Sequence, residues 1–131
     1  MNKKNMAGII LIIIIGVAIG ASGQIFLKKG LQQIGDVEMR GIKSILPAIF
    51  KIITNKFVFW GLALSVFAAF FWILTLLKIN LNVAYPLAGG LFYISVIALS
   101  VIFLGEKVTV AQLIGTGIIL LGTIILTNYG K

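Results

Sequence analysis

Apolar residues run along this chain in four long blocks, and the polar residues fall in the gaps between them. The blocks extend from Ala7 to Leu27, Phe57 to Leu77, Val83 to Phe103 and Val110 to Leu126, and none contains a charged residue. A helix rising ~1.5 Å per residue crosses a hydrocarbon core ~30 Å thick in about 20 residues. Each block therefore predicts a transmembrane helix, at about 7–27, 57–77, 83–103 and 110–126. The connections Lys78 to Asn82 and Leu104 to Thr109 are short, and irregular backbone exposed to lipid leaves polar groups unpaired at high cost. Both predict tight antiparallel hairpins that close a compact bundle.

The first block has a rival reading as a cleaved signal peptide, since Lys3 and Lys4 precede it and Gly20 to Gly23 are small. About 20 apolar residues exceed the usual signal-peptide core, so the block is read as a retained span. Between the first and second spans the pattern changes. Ile42, Ile45, Leu46, Ile49, Phe50 and Ile53 recur at helical spacing, with Lys43, Ser44, Pro47 and Lys51 on the other side. This predicts a short amphipathic helix over about 42–53, lying in the membrane interface or packed as a connector on its neighbours. Proline at 47 fits near its start or at a kink. The expected architecture is all-α: one membrane domain over 1–131, with four transmembrane helices and the amphipathic helix between the first and second.

Composition narrows the chemistry. Of 131 residues 60% are apolar and 11% charged, with no cysteine and no histidine. Thiolate and imidazole metal sites, disulfides and the commonest proton shuttle are all missing, so neither an enzyme nor a metal or cofactor protein is expected. The formal charge of +8 comes from basic residues that flank apolar spans, where anionic lipid headgroups rather than nucleic acid are the expected partner. Lys3, Lys4, Lys78 and Lys131 fall on one side, and Lys28, Lys29, Arg40, Lys43, Lys51, Lys56 and Lys107 on the other. The positive-inside rule then favours a cytoplasmic long loop with both termini outside.

Polar and small residues cluster at two places. The end of the first span reads Gly20-Ala21-Ser22-Gly23-Gln24 and is followed by Lys28 and Lys29. Small residues allow close backbone approach, and a buried amide needs a partner, so this end faces protein or a polar cavity. Gln24 is either interhelical glue or a substrate contact, and Lys28 either snorkels to the interface or binds substrate. The third span opens Ala84-Tyr85-Pro86-Leu87-Ala88-Gly89-Gly90, predicting an irregular turn that packs on protein or lines a cavity. Tyr85 and Tyr93 would present hydroxyls there, and Trp72 is the matching aromatic on the second span; an interfacial belt or plain packing is the competing account of each. Glu106-Lys107, in the last hairpin, reads as a solvated pair. Gly115, Gly117 and Gly122 leave a smooth face on the fourth span, suited to docking a helix of this chain or of a second subunit.

In order along the chain, Gly23-Gln24 with Lys28, Gly61-Leu62-Ala63-Leu64 leading to Trp72, Ala84-Tyr85-Pro86, and Gly105-Glu106-Lys107 before a glycine-bearing last span resemble the drug/metabolite transporter superfamily. The likeness covers nearly the whole chain and is closest to the EamA-like four-helix branch, which includes the aminoarabinose-undecaprenyl-phosphate flippase subunits. Small multidrug resistance proteins are a more distant likeness. The resemblance implies a half-transporter working as a homodimer, or as a heterodimer with a paralogous four-helix subunit, around a central cavity in the cell (inner) membrane. It also implies substrate roles for Gln24, Lys28, Trp72 and Tyr85, and a dimer-forming last helix. The multidrug branch carries a glutamate in its first helix, where this chain has Gly20, and no span here contains a carboxylate. Proton-coupled export of a bare cation needs a buried acid, so drug/proton antiport is disfavoured.

The leading expectation is thus a transporter or flippase for a lipid-linked sugar or polyprenyl phosphate. Lys28, with Lys29, Lys43 and Lys51, would receive the phosphate, and Gln24, Trp72 and Tyr85 would meet the headgroup. Export of small soluble metabolites or drugs is the alternative, and a non-transporting membrane subunit the second.

Overall fold

A computed structural model of the chain describes residues 3–35 and 42–129, with side chains over 7–35 and 45–127. The described residues form α1 (Lys3–Ile34), α2 (Ile42–Ile53), α3 (Lys56–Leu76), α4 (Leu81–Leu99) and α5 (Val110–Tyr129), with no strand. A π-helical turn, Ser100–Leu104, ends α4. α1, α3, α4 with its π turn, and α5 are each long and apolar enough to cross a membrane. The predicted architecture stands.

The predicted end of the first helix is corrected. Hydropathy falls at Lys28, but α1 continues to Ile34. Lysine side chains can carry their charge away from the apolar surface, and nothing between Lys28 and Ile34 interrupts the backbone hydrogen bonds. Gly35 stops it: at φ +71° its N–H donates to the Leu31 carbonyl at 3.1 Å, a left-handed cap that a side chain would strain. Lys51 Nζ donates to the last carbonyl, that of Ile34, at 3.2 Å. Pro86 also sits differently from the expectation of an irregular turn. α4 is helical from Leu81, with the Asn80 carbonyl accepting from Val83 and Ala84 N–H at 3.0 and 2.9 Å. The ring removes only the bond to the Asn82 carbonyl, at an exposed helix start where that loss is tolerable.

Side-chain caps begin two other helices. Asn55 Oδ1 accepts from Phe57 and Val58 N–H at 2.9 and 3.2 Å at the start of α3. Before α5, Thr109 and Gln112 form a reciprocal capping box: Thr109 N–H donates to Gln112 Oε1 at 2.8 Å, and Gln112 N–H to Thr109 Oγ1 at 3.3 Å. Within the spans Ser65, Thr75, Ser95 and Thr123 each donate to the carbonyl four residues back. These hydroxyls are satisfied without leaving their own helix, as an apolar solvent demands.

The helices form a row rather than the closed bundle expected from the short hairpins. α3 and α4 both pack on α1 but hardly touch each other, and α5 packs on α4 alone. α1 is therefore the hub of the described helices. Gly16, Gly23 and Gly30, seven residues apart, all face α3. A Cβ on Gly23 would come within 3.0 Å of the Gly61 carbonyl oxygen, and one on Gly61 within 2.8 Å of the Leu27 nitrogen. The two backbones meet without side chains between them. On the other side Ile9, Ile13 and Val17 pack against Leu87, Leu91 and Phe92 of α4.

α2 settles between its two predicted positions. Ile45, Leu46, Ile49, Phe50 and Ile53 are exposed, Leu46 by 77% and Phe50 by 71%, and among its described side chains Ala48 is the buried one. Its apolar face points away from the bundle, as an interfacial helix requires and a packed connector does not.

Candidate functional site

Because α3 and α4 both pack on α1 and hardly touch each other, α1 floors a groove between them, and two cavities follow one another along it. The first, about 330 Å³, takes Ile12 to Gly20 of α1 as its floor, with Phe71, Trp72 and Thr75 of α3 and Tyr85, Ala88 and Phe92 of α4 as walls. Gly16 and Gly20 lie in that floor and let the walls come close: a Cβ would meet Phe71 at 2.8 Å on the first and Phe92 at 3.2 Å on the second. Its walls are almost wholly apolar, and the hydroxyls of Ser65 and Thr75 that border it are already bonded within α3. At its rim Trp72 and Tyr85 meet edge to face, ring centroids 5.0 Å apart at 78°, and so bridge α3 and α4. Tyr85 is 58% exposed. This cavity suits an apolar chain or a flat hydrophobic ring, with the two aromatics as its polar-tipped border.

The second, about 450 Å³, lies toward the C-terminal end of α1, between Gln24 and Leu31. Val58 and Leu62 of α3, Ile52 of α2 and Val96 of α4 wall it, and Ser100, Leu104 and Glu106 close it from the far end of α4. It is the polar end of the groove. Gln24 is exposed there and hydrogen-bonds to no other described residue. Lys28 Nζ lies 3.3 Å from Glu106 Oε1, the side chains being 57% and 40% exposed. The expectation of a solvated Glu106-Lys107 pair is therefore corrected. Glu106 reaches across to α1 because the π turn and the left-handed Gly105, at φ +66°, turn the chain back over the groove.

The predicted site residues thus separate into two groups. Trp72 and Tyr85 border the first cavity, Gln24 and Lys28 the second, with centres ~17 Å apart along α1 at 1.5 Å per residue. Tyr93, half exposed on α4, lines neither. Of the other predicted phosphate ligands, Lys51 caps α1, and Lys29 Nζ sits 5.3 Å from the centre of the Phe57 ring, which Lys56 also approaches at 5.4 Å. The Lys43 side chain lies outside the described residues. Gly115, Gly117 and Gly122 have open space where a Cβ would stand, so the glycine face of α5 meets no described residue of the chain.

Fold and groove together define a multi-pass α-helical membrane protein with an amphipathic cleft along its first span. Comparison with family models, curated proteins and solved structures finds no match to this chain.

Proposed function

We propose that this chain is an EamA-like half-transporter of the drug/metabolite superfamily, acting as a dimer in the cell (inner) membrane to move a lipid-linked sugar or polyprenyl phosphate between leaflets. The observation that carries this reading is the polarity of the groove: one end is apolar and bordered by aromatic rings, and the other holds an amide, a hydroxyl and a cation loosely paired with a carboxylate. An amphiphile laid along α1 meets matching chemistry at both ends, its phosphate at Lys28 and Gln24 and its chain beside Gly16 and Phe92. Trp72 and Tyr85 then border the chain or the sugar rather than the phosphate. The sparse contact between α3 and α4 supports lateral entry, which lets the tail stay in lipid while the head crosses. The open glycine face of α5 supports pairing with a second four-helix subunit, which would complete an alternating-access pathway.

The test is headgroup translocation in proteoliposomes containing the purified chain, followed with polyprenyl-phosphate sugars. Acceleration over empty vesicles is expected, with Lys28→Ala and Gln24→Ala lowering it about tenfold each, the factor that loss of a charged or neutral hydrogen bond of ~1.4 kcal/mol produces. No acceleration with any such lipid sinks the reading. A second reading, export of small hydrophobic metabolites or drugs, is favoured by the compact aromatic-bordered first cavity alone. It predicts uptake of soluble solutes by the same vesicles, which lipid flipping does not give. If neither activity is found, the chain is a non-transporting membrane subunit.

A further inference from the structure

The groove's polar end holds an acid that the sequence pattern left in solvent, and its placement depends on three local features. Ser100 is buried at the base of the π turn, and its carbonyl accepts from the N–H of Gly105 and, at 3.3 Å, from that of Glu106. A π turn holds about one residue more than an α turn, so it rotates everything after it by roughly 100° about the helix axis. Gly105 then reverses the chain. Together they bring the Glu106 carboxylate to Lys28 at the mouth of the second cavity. Lys28 is the only cation lining either cavity among the described residues, and its charge is already occupied.

The geometry points to Glu106 being an exchangeable internal counter-ion: it holds the Lys28 site when empty and is displaced by the anionic head of an amphiphile. This rests on the groove being the substrate path, and adds how its anion site is regulated. Half-exposed ion pairs are worth little, so the carboxylate is held loosely enough to be replaced. A phosphate offers more charge and more acceptor oxygens to the same ammonium. The apolar walls contributed by Ile25, Leu62, Val96 and Leu104 add the tail contact that Glu106 cannot make. On exchange Glu106 is free to leave with its turn, hinged at Gly105 and the π turn, uncovering the end of the groove.

Dodecyl phosphate is the probe, titrated into phosphatidylcholine nanodiscs holding the whole chain and followed by phosphorus NMR against empty discs. Glu106→Gln and Glu106→Ala remove the competitor and are expected to tighten binding about threefold, as loss of a competing contact worth under ~1 kcal/mol dictates. Lys28→Gln is expected to weaken it at least tenfold, by roughly the strength of a charge-assisted bond, and Lys28→Gln/Glu106→Gln to bind no tighter than Lys28→Gln alone. In the unmodified chain the carboxylate carbon signal of Glu106 should move with the same concentration dependence as the phosphorus signal. Unchanged or weaker binding without the Glu106 carboxylate, or a stationary carboxylate signal, overturns the exchange. Inorganic phosphate binding as tightly as dodecyl phosphate, and displacing Glu106 equally, would assign the same exchange to a water-soluble anion; weak binding assigns it to a lipid head. Exchange without headgroup translocation removes the flippase reading and leaves the counter-ion standing. Translocation combined with dodecyl phosphate binding that Glu106→Gln leaves unchanged or weaker does the reverse.

Discussion

α1 and α5 carry the same small-residue device and use it in opposite ways. On α1 Gly16, Gly23 and Gly30 recur every seven residues and every one is pressed against α3. On α5 Gly115 and Gly122 stand at the same step, with Gly117 beside them, and all face open space. None of the described side chains of α5 is buried, whereas α1 is the most buried span. In lipid there is no hydrophobic gain from pairing two apolar helices, so close packing between backbones has to hold them. Glycine spacing alone marks a face that can pack. It does not say whether the partner belongs to the same chain.

The largest effect that tests this contrast is expected at Gly61, the residue of α3 opposite Gly23. In Gly61→Val the new side chain meets backbone atoms of α1, which can move only by parting the helices, and a loss of about 3 kcal/mol is expected. Unfolding in mixed micelles, monitored by far-ultraviolet circular dichroism, measures it; a variant as stable as the parent would show that the seam is not tight. Gly30→Ala is next, at about 1–2 kcal/mol, because its Cβ meets both Val58 N and the Asn55 Oδ1 that caps α3, and a displaced cap carries that cost. Restoration of stability in Gly30→Ala with Asn55→Gly, relative to Gly30→Ala alone, would isolate the cap.

Gly90→Ala probes the contact between α4 and α5, where the Cβ meets the Thr123 hydroxyl at 3.0 Å. A side chain can yield more cheaply than backbone, so about 1 kcal/mol or less is expected in the same assay. Smallest of all, Gly115→Leu and Gly122→Leu should change monomer unfolding by less than about 0.5 kcal/mol, as surface substitutions do. If the α5 face joins two subunits, those same variants weaken self-association about tenfold in detergent by energy transfer between labelled chains, the equivalent of ~1.4 kcal/mol. A monomer destabilised as much by Gly122→Leu as by Gly61→Val would erase the difference between the two helices.

The contrast also shows what could be read from residue order. Four spans were legible because about 20 apolar residues in water have no other fate, and their bounds in α3, α4 and α5 fall within a few residues of the apolar blocks. The end of α1 was not, because hydropathy responds to the charge of Lys28 while the helix responds to its backbone bonds and to Gly35. The seven-residue glycine step of α1 and the Thr109–Gln112 box were present in the sequence as signals for the seam and for the start of α5. The row arrangement left no such trace. Helices that are apolar on every side do not reveal which side meets a neighbour. The candidate site was half legible: Trp72 with Tyr85 and Gln24 with Lys28 each lie together, but Glu106 depends on the register of α4 against α1 and on a π turn, which spacing does not encode.

The placing of α1 between its neighbours also bears on how the chain is made. α3 and α4 follow each other across a short connection, and two helices released together in that way would ordinarily dock on each other. Here both must find α1 instead. N-terminal segments leave the ribosome first, so α1 and α3 are in the membrane together before α4 is complete. Their glycine seam can close early, and α4 then meets a partner with α1 already claimed on one side. The glycine seam between α1 and α3 is thus also the contact that biogenesis offers first, so delaying α3 would leave α1 open to α4 before its glycine face is covered.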